Sequence, residues 1–167
     1  MTSQEPLPAM TTESTIKPIS STTPSTPELD AAIGRVLRHG HTIDITTTGR
    51  RTGVPRRIEI VFHSFDGHLY ISGMPSRRTR AWLHNLRANP RFTFHLKQFL
   101  RADLPATARE ITDPVERREV LTKVARVWRQ DLEAMMRFSP LVEATIDGYT
   151  PAPVGDPAPA QESVAEA

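Results

Sequence analysis

The chain has 167 residues, of which 38% are hydrophobic and 24% charged, and this composition is typical of a globular protein with one core. It contains no apolar run of about eighteen residues and no classical secretory signal, so we expect a cytoplasmic protein without a transmembrane helix. The absence of cysteine excludes disulfides, thiolate chemistry and cysteine-ligated metal sites.

The net charge of +2 conceals a strongly basic middle segment. Residues 49–101 contain 11 basic and 2 acidic side chains, whereas residues 102–150 contain 7 basic and 9 acidic side chains. Such a local excess of positive charge favours an anionic partner. A solvated basic face is the alternative interpretation.

Both ends of the chain have the composition of disordered segments. Residues 1–27 include 17 Ser, Thr or Pro residues, and residues 151–167 include four prolines. These segments hold too little apolar surface to offset the conformational entropy lost on folding. We therefore expect one folded domain over residues 28–150, and the sequence does not indicate its oligomeric state.

Alternating apolar residues predict a series of short strands after a first helix, which begins at Pro27 with Thr26 as its N-cap and ends before Gly40. The Asp66–Gly67 pair predicts a tight hairpin turn, and Pro105 predicts a bend or bulge. The predicted strands are His41–Thr47, Arg56–Ser64, His68–Ser72, Arg91–Lys97, Leu100–Ile111 and Leu141–Ile146.

Two further helices are predicted, one over Thr79–Arg87 and a long one that is opened by Asp113 and Pro114 and extends to Arg137. The connections between strands are too short for parallel crossovers. We therefore predict an α+β fold built around a small antiparallel barrel. The inward-facing residues of the long helix are predicted to be Val120, Leu121, Val124, Val127 and Trp128.

A glycine-bracketed loop, TTTGRRTGVPR over residues 46–56, is the most informative stretch of the sequence. Gly49 and Gly53 free the backbone to approach an anion, and Arg50, Arg51 and Arg56 add guanidinium groups suited to phosphate or carboxylate. An exposed hairpin loop decorated with arginine is the alternative.

A second set of candidate residues surrounds the predicted Thr79–Arg87 helix. Arg77, Arg78 and Arg80 form a second basic cluster at its N-terminus, which itself attracts anions. Trp82 and Asn85 stand three residues apart and share a face, where they would form one wall of a pocket for a flat heterocycle. Alternatively, the tryptophan is a core anchor and the asparagine a hydrogen-bonding residue.

The segments TTTGRRTGVPRR and SGMPSRRTRAWLHNLRANPRFTFHL, in this order and spacing, resemble the deazaflavin-dependent nitroreductase family of bacterial oxidoreductases over about residues 42–97. The resemblance implies a split antiparallel β-barrel related to the FMN-binding barrels, with flanking helices. It also implies the coenzyme F420, whose reduced form would deliver hydride to a small organic acceptor of the nitro, quinone or enone type.

The resemblance further implies where the cofactor would bind. The arginines of the loop would hold its phosphate and acidic tail, and the helix would flank its ring. The hard chemistry would belong to the cofactor, so no catalytic residue is identified, and water, Ser72 and Tyr149 are the candidate proton donors. The implied cofactor-binding residues are Arg50, Arg51, Thr52, Gly53, Arg56, Ser72, Gly73, Arg80, Trp82 and Asn85.

Two alternatives remain open from the sequence. One is a relative of the same fold that binds FMN, or that binds a ligand without redox chemistry. The other, a nucleic-acid-binding module, is disfavoured because the basic segment offers few aromatic residues for base stacking. No metal site is expected, because the six histidines show no ligand spacing such as H-E-x-x-H.

Overall fold

The computed structural model describes residues 27–150, and both terminal segments with their predicted disorder lie outside this range, as does the predicted N-cap at Thr26. The elements are α1 (Pro27–Leu37), β1 (Thr42–Thr48), β2 (Pro55–Phe65), β3 (His68–Ser72), α2 (Ala81–Ala88), β4 (Arg91–Leu96), β5 (Ala102–Glu110), α3 (Pro114–Trp128), α4 (Leu132–Phe138) and β6 (Leu141–Ile146).

The six strands form one closed antiparallel barrel in the order β1-β2-β3-β6-β5-β4, with β4 paired back to β1. This confirms the predicted α+β barrel with flanking helices. The β2–β3 hairpin turns at Asp66 and Gly67, both with positive φ (51° and 80°), as this pair favours in a tight hairpin. None of the helices within residues 27–150 is long and apolar enough to cross a membrane.

Side-chain alternation along the strands divides the apolar residues between two cores. In β3, Leu69 and Ile71 face the barrel interior, whereas Tyr70 between them faces the second core. In β6, Val142 faces the interior and Leu141 the second core. The interior core also takes side chains from α1 and α2, and the second core is covered by α3 and α4.

Helix α2 starts at Ala81, two residues later than predicted, because Arg80 adopts an extended conformation as its N-cap. Three of its side chains, Trp82, Leu83 and Leu86, are buried in the interior core. The helix is therefore anchored to the barrel, and its N-terminus is held at a fixed place beside the strands.

The predicted long C-terminal helix is wrong in one respect, because the structure divides it into α3 and α4. Arg129 ends α3 in the left-handed conformation (φ 53°), and the Asp131 side chain begins α4 by accepting a hydrogen bond from the Ala134 amide (2.7 Å). The predicted inward position of Val127 is also wrong, since this side chain is 60% exposed.

The predicted bulge at Pro105 is absent. The β4–β5 register runs without interruption from Arg91↔Thr107 to Leu96↔Ala102, with Pro105 opposite Thr93. The carbonyl of Pro105 accepts a hydrogen bond from Asp147 (2.9 Å), just beyond the last β5–β6 pair. The backbone nitrogen of Pro105 therefore faces β6 at the end of the β5–β6 pairing. Because it has no N–H to donate there, no hydrogen bond between paired strands is lost.

His63 on β2 is a buried histidine in an aromatic environment. Its ring lies 4.8 Å from that of Trp128 and is stacked on Phe65 at 5.8 Å between centroids, and its Nε2 has no hydrogen-bond partner within residues 27–150. Burial lowers the pKa of His63 from 6.5 to about 4, because the charged form is poorly solvated there.

This burial predicts a pH dependence of stability. Between pH 6.5 and about 4 the unfolded chain binds a proton at His63 that the folded chain does not, so the free energy of unfolding falls as the pH falls through this window. Urea denaturation of a His63→Phe variant should show a shallower loss over the same range. The exposed His39→Gln variant is the control, and an identical pH dependence in wild type and His63→Phe would contradict the prediction.

Candidate functional site

The β1–β2 connection is a compact loop whose shape requires both of its glycines. The Gly49 amide donates to the Val54 carbonyl (2.9 Å), and the Gly53 amide donates to the Gly49 carbonyl (2.7 Å). A Cβ on Gly49 would lie 2.8 Å from the Val54 carbonyl oxygen, and Gly53 has a φ of +68°. The loop thus turns back on itself and leaves its arginine side chains exposed.

The buried side chain of Asn85 connects this loop to helix α2. Its Nδ2 donates to the Thr47 hydroxyl at 3.0 Å, and its Oδ1 accepts a hydrogen bond from the Arg50 amide at 3.1 Å. Both ends of the carboxamide are therefore satisfied within the protein. Asn85 holds the loop against the helix, as its hydrogen-bonding interpretation predicts, while also lining the cavity described next.

Two adjoining cavities lie along the loop and the N-terminal end of α2. The first, of about 410 Å³, is bordered by the arginine loop, and the second, of about 790 Å³, is mostly apolar. They share three lining residues, Ile58, Ala81 and Trp82. We call the first the arginine cavity and the second the indole cavity, because Trp82 and Trp128 both line the latter.

The arginine cavity carries positive charge that the described part of the chain does not neutralise. Arg50, Arg51 and Arg56 are exposed and have no carboxylate partner among residues 27–150, whereas Arg57 donates to Asp44 at 2.9 Å. Within residues 27–150 no side chain caps the N-terminus of α2. Ala81, the first residue of this helix, lines the same cavity, so the positive end of the helix lies beside it. The arrangement is suited to an anion.

The indole cavity combines flat apolar walls with a closely packed backbone. A Cβ on Gly73 would lie 3.1 Å both from Arg80 Nε and from the Pro140 ring, so the packing at this position leaves little room for a side chain. The Ser72 hydroxyl is buried and donates to the Pro140 carbonyl at 2.8 Å. Because this hydroxyl proton is already engaged, Ser72 is not suited to donate it to a bound molecule.

The structure brings together nine of the ten predicted site residues along these two cavities. Gly53 shapes the loop without lining either cavity. Arg77 and Arg78 line a separate cavity of about 350 Å³, which Arg80 also borders. Tyr149 lies beside Gly34 of α1 and in another small cavity, so it is no proton donor for this site.

Several lining residues have no signal in the sequence that marks them as part of a site. Thr47 and Ile58 read as ordinary strand positions, and Trp128 as a core residue of a continuous helix. Gln130 reaches the indole cavity only because the chain breaks between α3 and α4. Within residues 27–150, no group of three or more His, Asp or Glu side chains is placed to hold a metal ion.

A family model described as F420H(2)-dependent quinone reductase matches residues 21–138 of the chain. No curated protein matches the chain.

Solved structures share the fold at low sequence identity. A protein of unknown function from Agrobacterium tumefaciens strain C58 matches with a TM-score of 0.57 and 18% identity, over 81% of this chain and 63% of that one. HutZ, a heme storage protein from Vibrio cholerae, matches with a TM-score of 0.53 and 14% identity, over 73% and 91%. An F420-H2 dependent reductase, FDR-A, matches with a TM-score of 0.49 and 21% identity, over 62% and 93%. The fold is the predicted FMN-binding-like split barrel.

The bridging position of Asn85 predicts a measurable cost for its removal. Asn85→Ala leaves the buried Thr47 hydroxyl and the Arg50 amide without partners, so the free energy of unfolding should fall by about 1–3 kcal/mol in urea denaturation. His84→Ala, on the same helix and without a side-chain hydrogen bond, should cost clearly less. Equal losses in the two variants would show that the bridge contributes nothing specific.

Proposed function

The chain belongs to the F420H2-dependent quinone reductase family, and we propose that its arginine and indole cavities together bind F420 beside a planar organic acceptor. Members of this family are oxidoreductases that use F420, so the chain is an F420H2-dependent reductase. The identity of the acceptor and the role of each residue are the subject of the proposal. The observation that carries it is the junction at Trp82, which joins an unneutralised cationic cavity to an apolar one.

The arginine cavity has the donor set that the acidic half of the cofactor needs. Arg50, Arg51 and Arg56 would hold its phosphate and tail, because guanidinium groups bind such oxygens with two parallel hydrogen bonds. Thr52 and Gly53 belong to the same loop and stabilise its shape: the Val54 amide donates to the Thr52 hydroxyl at 3.2 Å, and the Gly53 amide donates to the Gly49 carbonyl. Arg56 lies opposite Thr47 in the β1–β2 ladder and so leaves the same face of the sheet.

The indole cavity fits the uncharged, planar half of the cofactor. Its volume of about 790 Å³ exceeds what one tricyclic ring fills, so an acceptor has space in the same cavity. Gly73 and the backbone at Ser72 would lie beside the ring, because both residues line the indole cavity. Trp82 would contact the ring from α2, with Asn85 fixing the helix relative to the loop.

When bound, the reduced cofactor supplies a hydride from C5 of its deazaflavin ring. The chain contributes position and environment: the loop would fix the charged end, and the apolar walls of the indole cavity would flank the reacting ring. The Ser72 hydroxyl donates a hydrogen bond to the Pro140 carbonyl, and the Glu59 carboxylate at the cavity rim is paired with Lys97. The proton that completes reduction would therefore come from solvent.

A quinone is the acceptor class that we propose, with nitro and enone compounds as further candidates. The family description supports quinones, and the side chains of Met74 and Trp128 offer an apolar, polarisable surface suited to a flat aromatic molecule. Gln130 adds one amide at the edge of the same surface.

The first functional prediction concerns the charged end. Purified protein should bind F420 with micromolar affinity, followed by the fluorescence of the ligand, and should reduce menadione with F420H2. Arg50→Ala and Arg51→Ala should each raise the Kd by about 10-fold, because each removes a charge-assisted contact of about 1.5 kcal/mol.

The control for this prediction is Arg101→Ala, which removes the same charge from an exposed position outside both cavities. It should leave the Kd unchanged at physiological salt. Failure of the wild type to bind F420, or tighter binding of FMN, would overturn the assignment of the cofactor to these cavities. An equal rise in the Kd for F420 in all three variants would show that the loop contributes only general electrostatic attraction.

A second prediction separates the two ends of the cofactor. Trp82→Phe keeps a buried aromatic ring but shortens the surface facing the cavities, so it should weaken binding of intact F420 and of a deazaflavin without the acidic tail by the same factor. Arg51→Ala should weaken only intact F420. Thermal unfolding checks that Trp82→Phe stays folded, and an equal effect of Arg51→Ala on both ligands would contradict the division.

A further inference from the structure

Arg80 is set apart from the other arginines of the candidate site by its position. It lines the indole cavity but not the arginine cavity, and it is the only Lys or Arg side chain among the described residues that line the indole cavity. The arginines of the loop border the other cavity, on the far side of the junction at Trp82. Arg80 is therefore placed beside the reacting region rather than beside the cofactor tail.

The guanidinium of Arg80 is held by the protein but not neutralised by it. Its Nη2 donates to the Met74 carbonyl at 3.0 Å, and its Nε is buried without a hydrogen-bond partner among the described residues. No carboxylate within residues 27–150 forms an ion pair with it, whereas Arg87 and Arg91 nearby in sequence are paired with Glu110 and Asp147. A positive charge is thus retained at the edge of an apolar cavity, where its electrostatic effect is strong.

Two backbone features fix this guanidinium in place. Gly73 makes room for it, since a Cβ there would lie 3.1 Å from Arg80 Nε and 3.5 Å from Cζ. Arg80 is also the N-cap of α2, and its carbonyl accepts hydrogen bonds from the Leu83 and His84 amides. The positive end of the helix adds to the same region.

We propose that Arg80 is a catalytic residue that binds the oxygen of a quinone-type acceptor and stabilises the negative charge that develops on it. This inference rests on the proposed function. It differs from the sequence-based expectation for Arg80, which assigned it to cofactor binding. Because the guanidinium is held by the Met74 carbonyl and lies at the edge of an apolar cavity, it meets the requirement for electrostatic stabilisation of a transition state.

The chemistry has a definite place for such a charge. During quinone reduction the acceptor gains a hydride, as the C5–H bond of the reduced cofactor breaks and a bond from that hydrogen to the acceptor forms. The acceptor is then a hydroquinone monoanion until it takes up a proton from water. Oxidation of the cofactor releases one proton to water, so the overall reaction consumes none. Neither Ser72 nor Glu59 is free to donate this proton, so the anionic oxygen needs a fixed cation, and Arg80 supplies it.

The test compares Arg80→Gln and Arg80→Lys with the matched control Arg78→Gln, whose exposed side chain lines only the neighbouring cavity. For each protein the Kd for F420 is measured by fluorescence, and kcat and KM for menadione are measured with saturating F420H2. Arg80→Gln should lower kcat by about 10- to 100-fold and change the Kd for F420 by less than about 2-fold. Arg80→Lys should fall in between, because it keeps the charge without the planar fork.

A rescue measurement distinguishes catalysis from folding. Added guanidinium ion at millimolar concentration should restore part of the kcat of an Arg80→Ala variant and none in Arg78→Gln. A raised Kd for F420 with unchanged kcat in Arg80→Gln would overturn the inference and return Arg80 to cofactor binding. A loss in Arg78→Gln as large as in Arg80→Gln would overturn it too. Failure of the wild type to reduce menadione with F420H2 would instead overturn the proposed function.

Discussion

The candidate site depends on one carboxamide. Asn85 is buried and connects a strand end, a loop amide and a helix through two hydrogen bonds, from its Nδ2 to Thr47 and to its Oδ1 from Arg50. The backbone hydrogen bonds within the arginine loop fix its shape, whereas this connection fixes the position of the loop relative to α2. Because α2 is anchored in the barrel core through Trp82 and its neighbours, the bridge transfers the rigidity of that core to a loop that is otherwise exposed.

Charge is distributed around the barrel in two ways. On the outer wall, cations are matched with acids: Lys97 contacts both Asp44 and Glu59, and Arg109 contacts both Glu116 and Glu143. These pairs lower the pKa of Asp44 and Glu116. The arginines of the loop and Arg80 have no such partner within residues 27–150, and unlike Arg78 and Arg101, which are also unpaired, they border the two cavities of the candidate site. Leaving these arginines unpaired lowers stability through their mutual repulsion, but it produces a positive electrostatic potential where a ligand would bind.

Much of the fold could be predicted from the sequence, because local chemistry decides it. The Asp66–Gly67 pair predicted the hairpin and with it β3, and both β3 and β6 lie at their predicted bounds. The break between α3 and α4 was missed because a non-glycine residue, Arg129, adopts the left-handed conformation there, which no composition signal marks. The role of Asn85 as a bridge, and the separation of Arg80 from the loop arginines, depend on contacts between residues far apart in the chain, and no local pattern encodes them.

The division into two cores has an evolutionary consequence. The parts proposed to hold the cofactor belong to the barrel strands, the β1–β2 loop and α2. Trp128, the last residue of α3, and Gln130, in the α3–α4 connection, come from the helical layer that packs on the second core. Substitutions or length changes at the α3–α4 junction would remodel one wall of the indole cavity and leave strand pairing and cofactor contacts intact. Such modularity would let descendants of this scaffold diversify in substrate range while inheriting the same redox partner.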